Sequence, residues 1–136
     1  MKHSDKTKEL IEKYIKIKNE LGNLEAELNR NLGLDILHNL KVGDYVYAKK
    51  VNEYATWEYW IRIDEVMGSH NPYKVSMSGP GLEVVTNKNG EIGYTQVNRR
   101  IYLSAMESNM EFDIITKEEF ASAYRLLKEK EVEIIK

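Results

Sequence analysis

A chain of 136 residues with 20 basic and 22 acidic side chains, a net charge of −2 and no cysteine has room for one domain plus an appendage. It excludes a disulfide framework and a thiolate zinc site. At 42% hydrophobic and 31% charged it reads as a folded chain with a modest core, and no apolar run approaches the ~20 residues of a membrane span. Basic and acidic residues stand at seven and seven in 1–40, eight and ten in 41–115, and five and five in the remainder. No excess of Lys and Arg therefore marks a face for duplex nucleic acid. The opening MKHSDKTKEL has no apolar stretch of the kind a secretory leader needs, so a cytoplasmic location is expected.

The first periodic stretch is 10–28. Leu10, Tyr14, Ile17, Leu21, Leu24 and Leu28 advance in steps of four and three, the a/d spacing of a coiled-coil seam held for almost three heptads. Lys, Glu and Asn occupy most positions off the seam. Ser4 or Asp5 is placed to cap this helix, Gly22 lies inside it, and Gly33 is read as its C-terminal stop. Leu34, Ile36, Leu37 and Leu40 then make a short apolar segment. A single helix cannot bury such a stripe alone, so residues 1–40 are assigned to oligomerisation through these six positions.

From Val42 the period changes to alternation. Tyr45, Val46, Tyr47 and Ala48 form a first strand, and 57–66 carries the longest strand signal. There Trp57, Tyr59, Ile61 and Ile63 share one side, and Glu58, Trp60, Arg62 and Asp64 the other. After a loop holding His70 and Asn71 comes a third strand through Tyr73, Val75 and Met77, ended by Gly79-Pro80-Gly81. Strands 82–86 and 91–97 flank Asn89-Gly90, a hairpin signal; 98–103 is a further strand and 111–115 a short edge strand. Thr116 and Glu119 form a capping box before a helix with Phe120, Ala123, Tyr124 and Leu127 on one face. Val132, Ile134 and Ile135 alternate weakly, which suits either a last strand or docking on a neighbour. The class is α+β: a long N-terminal amphipathic helix, then an antiparallel sheet or small barrel of about six strands with a C-terminal helix in 41–136.

No catalytic motif is present. His3, His38 and His70 lack metal-ligand spacing, and no nucleophile elbow or phosphate loop appears, so neither catalysis, a metal nor a cofactor is expected. The suggestive groups are planar and cationic. Only five of the basic residues are Arg, and Arg62 shares a strand face with Trp60. A ring beside a guanidinium on a sheet suits a nucleobase next to a phosphate. Asn98, Arg99 and Arg100 offer an amide and two guanidiniums; Tyr73, Asn87 and Tyr94 lie near the ends of neighbouring strands, and His70, in a loop beside Asn71, is the one histidine placed for a ligand contact. The competing reading is that the long helix covers Trp60, while Arg62 and Arg100 pair with surface acids.

A heptad-bearing helix followed by KVGDYVYA, TWEYWIRIDEV, YKVSM and VNRRIYL resembles, over most of the chain, the small phage proteins called Thoeris anti-defence protein 1. The resemblance implies a non-catalytic sponge in the host bacterial cytoplasm. Such proteins sequester the cyclic ADP-ribose isomers made by TIR-domain enzymes, and some members also hold cyclic oligonucleotides. It implies a dimer or higher homo-oligomer with arginine, asparagine and aromatic side chains near a protomer interface; Arg99 or Arg100 matches such an arginine, and Tyr73 an aromatic. The alternative is a coiled-coil and β-barrel interaction protein that inhibits a host protein directly.

Overall fold

In the computed structural model, residues 3–107 and 109–135 are described, those at 94, 98 and 130–135 by their backbone alone. The chain is α+β, with a long N-terminal helix, a curled antiparallel sheet forming a half-barrel, and a C-terminal helix. Among the described residues, no helix is long and apolar enough to cross a membrane.

Helix α1 (Asp5–Asn39) starts at Ser4, whose Oγ accepts the Thr7 N–H at 3.2 Å. At 35 residues it is roughly 50 Å long, and its buried residues, Gly33 and Ile36, lie in its last turns. Residues 8–28 are exposed throughout. The helix does not stop at Gly33. It runs on for six residues and plants Ile36 and Leu40 in the core. Gly33 is a close-approach glycine: a Cβ there would lie 1.8 Å from the carbonyl oxygen of Pro72, in the 3₁₀ turn Pro72–Lys74 that seats α1 on the sheet.

The strands are β1 (Tyr45–Val51), β2 (Ala55–Arg62), β3 (Glu65–Met67), β4 (Ser76–Asn87), β5 (Ile92–Ser104) and β6 (Met110–Ile115), followed by α2 (Lys117–Ile135). The weak alternation near the C-terminus is thus helix, not strand. β4 is the centre of the sheet. It pairs with β5 along one edge and, in succession, with β3 and β2 along the other; β1 joins β2, and β6 joins β1. Gly79-Pro80-Gly81 does not end a strand but lies inside β4. A Cβ on Gly79 would sit 1.8 Å from the Arg62 carbonyl oxygen, and one on Gly81 would sit 2.3 Å from that of Trp60. Only glycine lets the two backbones approach so closely. The segments 91–97 and 98–103 are likewise one continuous strand, bent by register shifts at Gly81/Glu83 and Val85/Thr86.

The predicted strand over 57–66 is interrupted at Ile63 and Asp64. Ile61 faces Gly81 and Glu65 faces Ser78, so the β2–β3 side contains one residue more than β4 does between the same points. That is a bulge, and it breaks the alternation of side chains.

The sheet separates two apolar clusters. On the inner face Val46, Ala48, Tyr59, Ile61, Ile63, Met77, Ile101 and Leu103 pack with Ile36 and Leu40 of α1. On the outer face Leu82 and Val84 pack with Leu127 of α2, flanked by Trp60, Ala123 and Tyr124. The capping box forms: Thr116 Oγ1 accepts the Glu119 N–H at 3.0 Å, and Phe120 meets Tyr45 with ring centroids 5.0 Å apart.

Two glycines on one helix give opposite predictions. Gly33→Ala forces Cβ into the Pro72 carbonyl and lowers unfolding free energy by about 2 kcal/mol or more. Gly22→Ala, where nothing lies within 4 Å, raises α1 stability by about 1 kcal/mol. Urea titrations of both variants against the parent chain check the pair of signs.

Candidate functional site

The eight candidate ligand residues fall into separate places. His70 and Asn71 lie in the loop before the 3₁₀ turn, and Tyr73 lies within it; all three are exposed on the side of the sheet where α1 docks. Asn71 is occupied locally, its Oδ1 accepting the Tyr73 N–H at 3.1 Å. The side chains of Asn98, also a candidate, and of Tyr94 lie outside the described residues.

Arg99 and Arg100 follow one another on β5 and reach different partners. Arg99 Nη1 donates to Glu83 Oε1 at 3.1 Å and to Gln96 Oε1 at 3.2 Å. Arg100 grips Asp64 through two bonds, Nη1 to Oδ2 at 2.9 Å and Nη2 to Oδ1 at 2.8 Å. It also donates to Ser78 Oγ at 3.0 Å, to Tyr102 Oη at 3.1 Å and to Glu65 at 3.4 Å. The bulge explains this last set. With one extra residue in the strand, the consecutive Asp64 and Glu65 both reach Arg100. The bidentate bond holds the Asp64 carboxyl below its ordinary value and lifts the Arg100 guanidinium further above its own.

Trp60 and Arg62 do share the outer face, but α2, not the long helix, covers it. The Trp60 ring lies tilted against Tyr47, centroids 5.1 Å apart. It opens on a shallow groove of about 800 Å³ between the sheet and α2, whose rim carries Glu58, Asp113, Glu118 and Glu119. Tyr47 Oη donates to Glu58 at 2.6 Å; burial first, and then this carboxylate, push the Tyr47 phenol above its ordinary value. Four carboxylates repel a phosphate, so the Trp60 groove suits a neutral or cationic group better than an anion.

Arg62 sits elsewhere on the same face. It is opposite Tyr45 in the β1–β2 ladder and lines a cleft of about 220 Å³ with Tyr45, Pro80, Leu82, Phe120 and Tyr124. Its guanidinium makes no hydrogen bond or ion pair with any described residue. The cleft thus joins one available guanidinium to three aromatic rings and the flat edge of Pro80-Gly81. A single ring system with an attached anionic group fits such a lining. Tyr45 and Phe120 were not among the candidates read from the sequence. The signal that could have found Tyr45 is register: it falls opposite Arg62 once the turn between β1 and β2 at Asn52 is closed. Among the described residues, no three His, Asp or Glu side chains converge as a metal site requires.

Fold and cleft together define an α+β protein with one exposed arginine and several half-buried rings beside its C-terminal helix. No family model matches the chain, and comparisons with curated proteins and with solved structures find no match.

The Arg100 network makes a pH prediction. Asp64 ionises below its ordinary 3.8 in the folded chain, so its stabilising contribution is complete above that value. It is lost as pH falls through the lower, folded one. Asp64→Asn removes the contribution at every pH. Thermal melts from pH 6 down to pH 3 are expected to show a smaller loss of Tm on acidification in the variant than in the parent.

Proposed function

We propose that this protein is a non-catalytic binder that sequesters a small anionic ligand with an aromatic ring, of the nucleotide class, without turning it over. The observation that carries the reading is the Arg62 cleft: a guanidinium that acts on the Asp64 carboxylate through space but makes no hydrogen bond or ion pair with any described residue, in a lining shared with Tyr45, Phe120 and Tyr124. A phosphate oxygen meets Arg62, and a base lies against the rings. Arg99 and Arg100 hold carboxylates instead, and a ligand reaching them has to displace Glu83 or Asp64. At about 220 Å³ the cleft is smaller than the ~300–1,000 Å³ of a drug-sized pocket. It takes one base and its phosphate, with the remainder of a larger ligand on the surface. The resemblance to the anti-defence sponges supplies the first ligands to try, cyclic ADP-ribose isomers and cyclic di- and trinucleotides. It also supplies the biological setting, a phage protein withdrawing an immune signal in the host cytoplasm.

A second reading, a protein that binds and blocks another protein, is favoured by the stripe on α1, where Leu10, Tyr14, Ile17, Leu21 and Leu24 are each more than half exposed. One capture experiment separates the two. The protein is incubated with the nucleotide panel, washed and heat-denatured, and released molecules are identified by mass spectrometry. Recovery of an intact nucleotide supports sequestration; a cleaved product means an enzyme; an empty supernatant across the panel rejects the ligand reading. With a captured nucleotide in hand, Arg62→Ala is expected to weaken its binding roughly 10- to 100-fold, the range for a lost charge-assisted hydrogen bond. Its Tm should match that of the parent, and calorimetric titration reads the difference.

A further inference from the structure

The seam of α1 has a second layer of information in the residues that flank it. With Leu10, Ile17 and Leu24 at d and Tyr14, Leu21 and Leu28 at a, the g positions are Lys6, Lys13, Glu20 and Glu27, and the e positions are Ile11, Lys18 and Glu25. Flanking charges are thus Lys in the first half of the helix and Glu in the second. These positions set the orientation of paired helices.

In a parallel, in-register pair each g residue meets the e residue five places on in the other helix. That brings Lys13 to Lys18 and Glu20 to Glu25, each twice, with no opposite-charge contact. The a positions, Tyr14, Leu21 and Leu28, also lack the β-branched residues that favour a parallel dimer. In an antiparallel pair centred on Asn19, g meets g and e meets e. Lys13 then meets Glu27 twice, and the like-charge contacts shrink to one Lys18–Lys18 and one Glu20–Glu20. The same centre pairs every seam residue: Leu10 with Leu28, Tyr14 with Leu24, and Ile17 with Leu21, each in both directions. Shifting the register by a heptad leaves some of them unpaired.

The length of the free helix agrees. A centre at Asn19 brings Asp5, the first residue of α1, level with Gly33, where α1 meets the 3₁₀ turn. The second helix therefore ends where the folded body begins. We infer that the exposed seam is closed by α1 of a second copy of this chain, running antiparallel about a two-fold axis at Asn19. The inference is independent of the ligand reading and stands or falls without any nucleotide present.

Sedimentation equilibrium on the full chain is expected to give a dimer at micromolar concentration; a monomer, or a trimer or tetramer, overturns the pairing. Charge exchange reads the orientation. Lys13→Glu replaces two opposite-charge contacts with like ones in the antiparallel pair, and should raise the dimer Kd by roughly 3- to 10-fold. Adding Glu27→Lys should restore it. In a parallel pair Lys13→Glu relieves the contact with Lys18 and tightens the dimer, the opposite sign. Because the chain has no cysteine, disulfide trapping is clean. Leu10→Cys and Leu28→Cys chains, mixed and oxidised, should link to each other and not to themselves, whereas a Leu10→Cys chain that links to itself rejects the antiparallel arrangement.

Discussion

The outer face of this protein depends on how closely β4 lies on β2. Hydrogen at the Cα of Gly79 and Gly81 is the only substituent that fits against the carbonyl oxygens of Arg62 and Trp60. The sheet curls at this contact, and the chain takes up the change in path by inserting one residue between Ile61 and Glu65. Two consequences follow at once. Asp64 and Glu65 both become available to Arg100, and Arg62, on the near side of the bulge, is left pointing beside Tyr45 and Phe120. A larger residue at either glycine would push the strands apart and dissolve both arrangements together.

Charge pairing then decides which arginine is open. Arg99 and Arg100 each have a carboxylate within 3.1 Å, whereas Arg62 has none that close among the described residues. The two arginines that follow each other in sequence are therefore the poorer sites for an anion, and the single one on β2 is the better. The acidic rim around Trp60 sharpens the contrast. Within one sheet face, four carboxylates line the groove under the N-terminal half of α2, whereas the cleft beside Phe120 is lined by a guanidinium and no carboxylate.

Much of the architecture was legible because it rests on local chemistry. The Ser4 cap, the Asn52 turn between β1 and β2, the Asn87–Gly90 hairpin and the Thr116–Glu119 box each use side chains that bond within a few residues, so sequence spacing suffices. The glycines were not legible in this way. Gly33, Gly79 and Gly81 look like punctuation in the sequence, yet each is required by a backbone that comes from far along the chain. The same holds for the candidate site. Alternation alone places Trp60, Arg62 and Asp64 on one face, and the fold keeps it as far as Asp64; Glu65, the next residue, escapes it at the bulge. The pairing of Arg100 with Asp64 depends on a register that no single strand announces. Tyr73, near a strand end, and His70, in a loop, were grouped with the arginines. The fold puts them in the loop and 3₁₀ turn beside α1, away from the Arg62 cleft on the outer face.

The projecting part of α1 has a stability problem that its own sequence cannot solve. Between residues 8 and 28 every residue is exposed; the segment carries a glycine at position 22 and holds an unburied apolar stripe. A helix in a protein draws most of its stability from packing its apolar face, and this one has no such packing along the stripe. The final turns, anchored by Ile36, Leu40 and the close fit of Gly33, supply a nucleus from which helix can propagate, but they do not cover the stripe. Helix formation toward the N-terminus and burial of the seam are therefore linked equilibria: whatever covers Leu10 and Leu28 also stabilises the turns between them. A second antiparallel copy does this symmetrically, because each helix end is then supported by the anchored base of the other. It also leaves the outer-face cleft clear of the interface. Assembly and ligand binding would then be separate properties of one chain, joined mechanically through the sheet and not through a shared pocket.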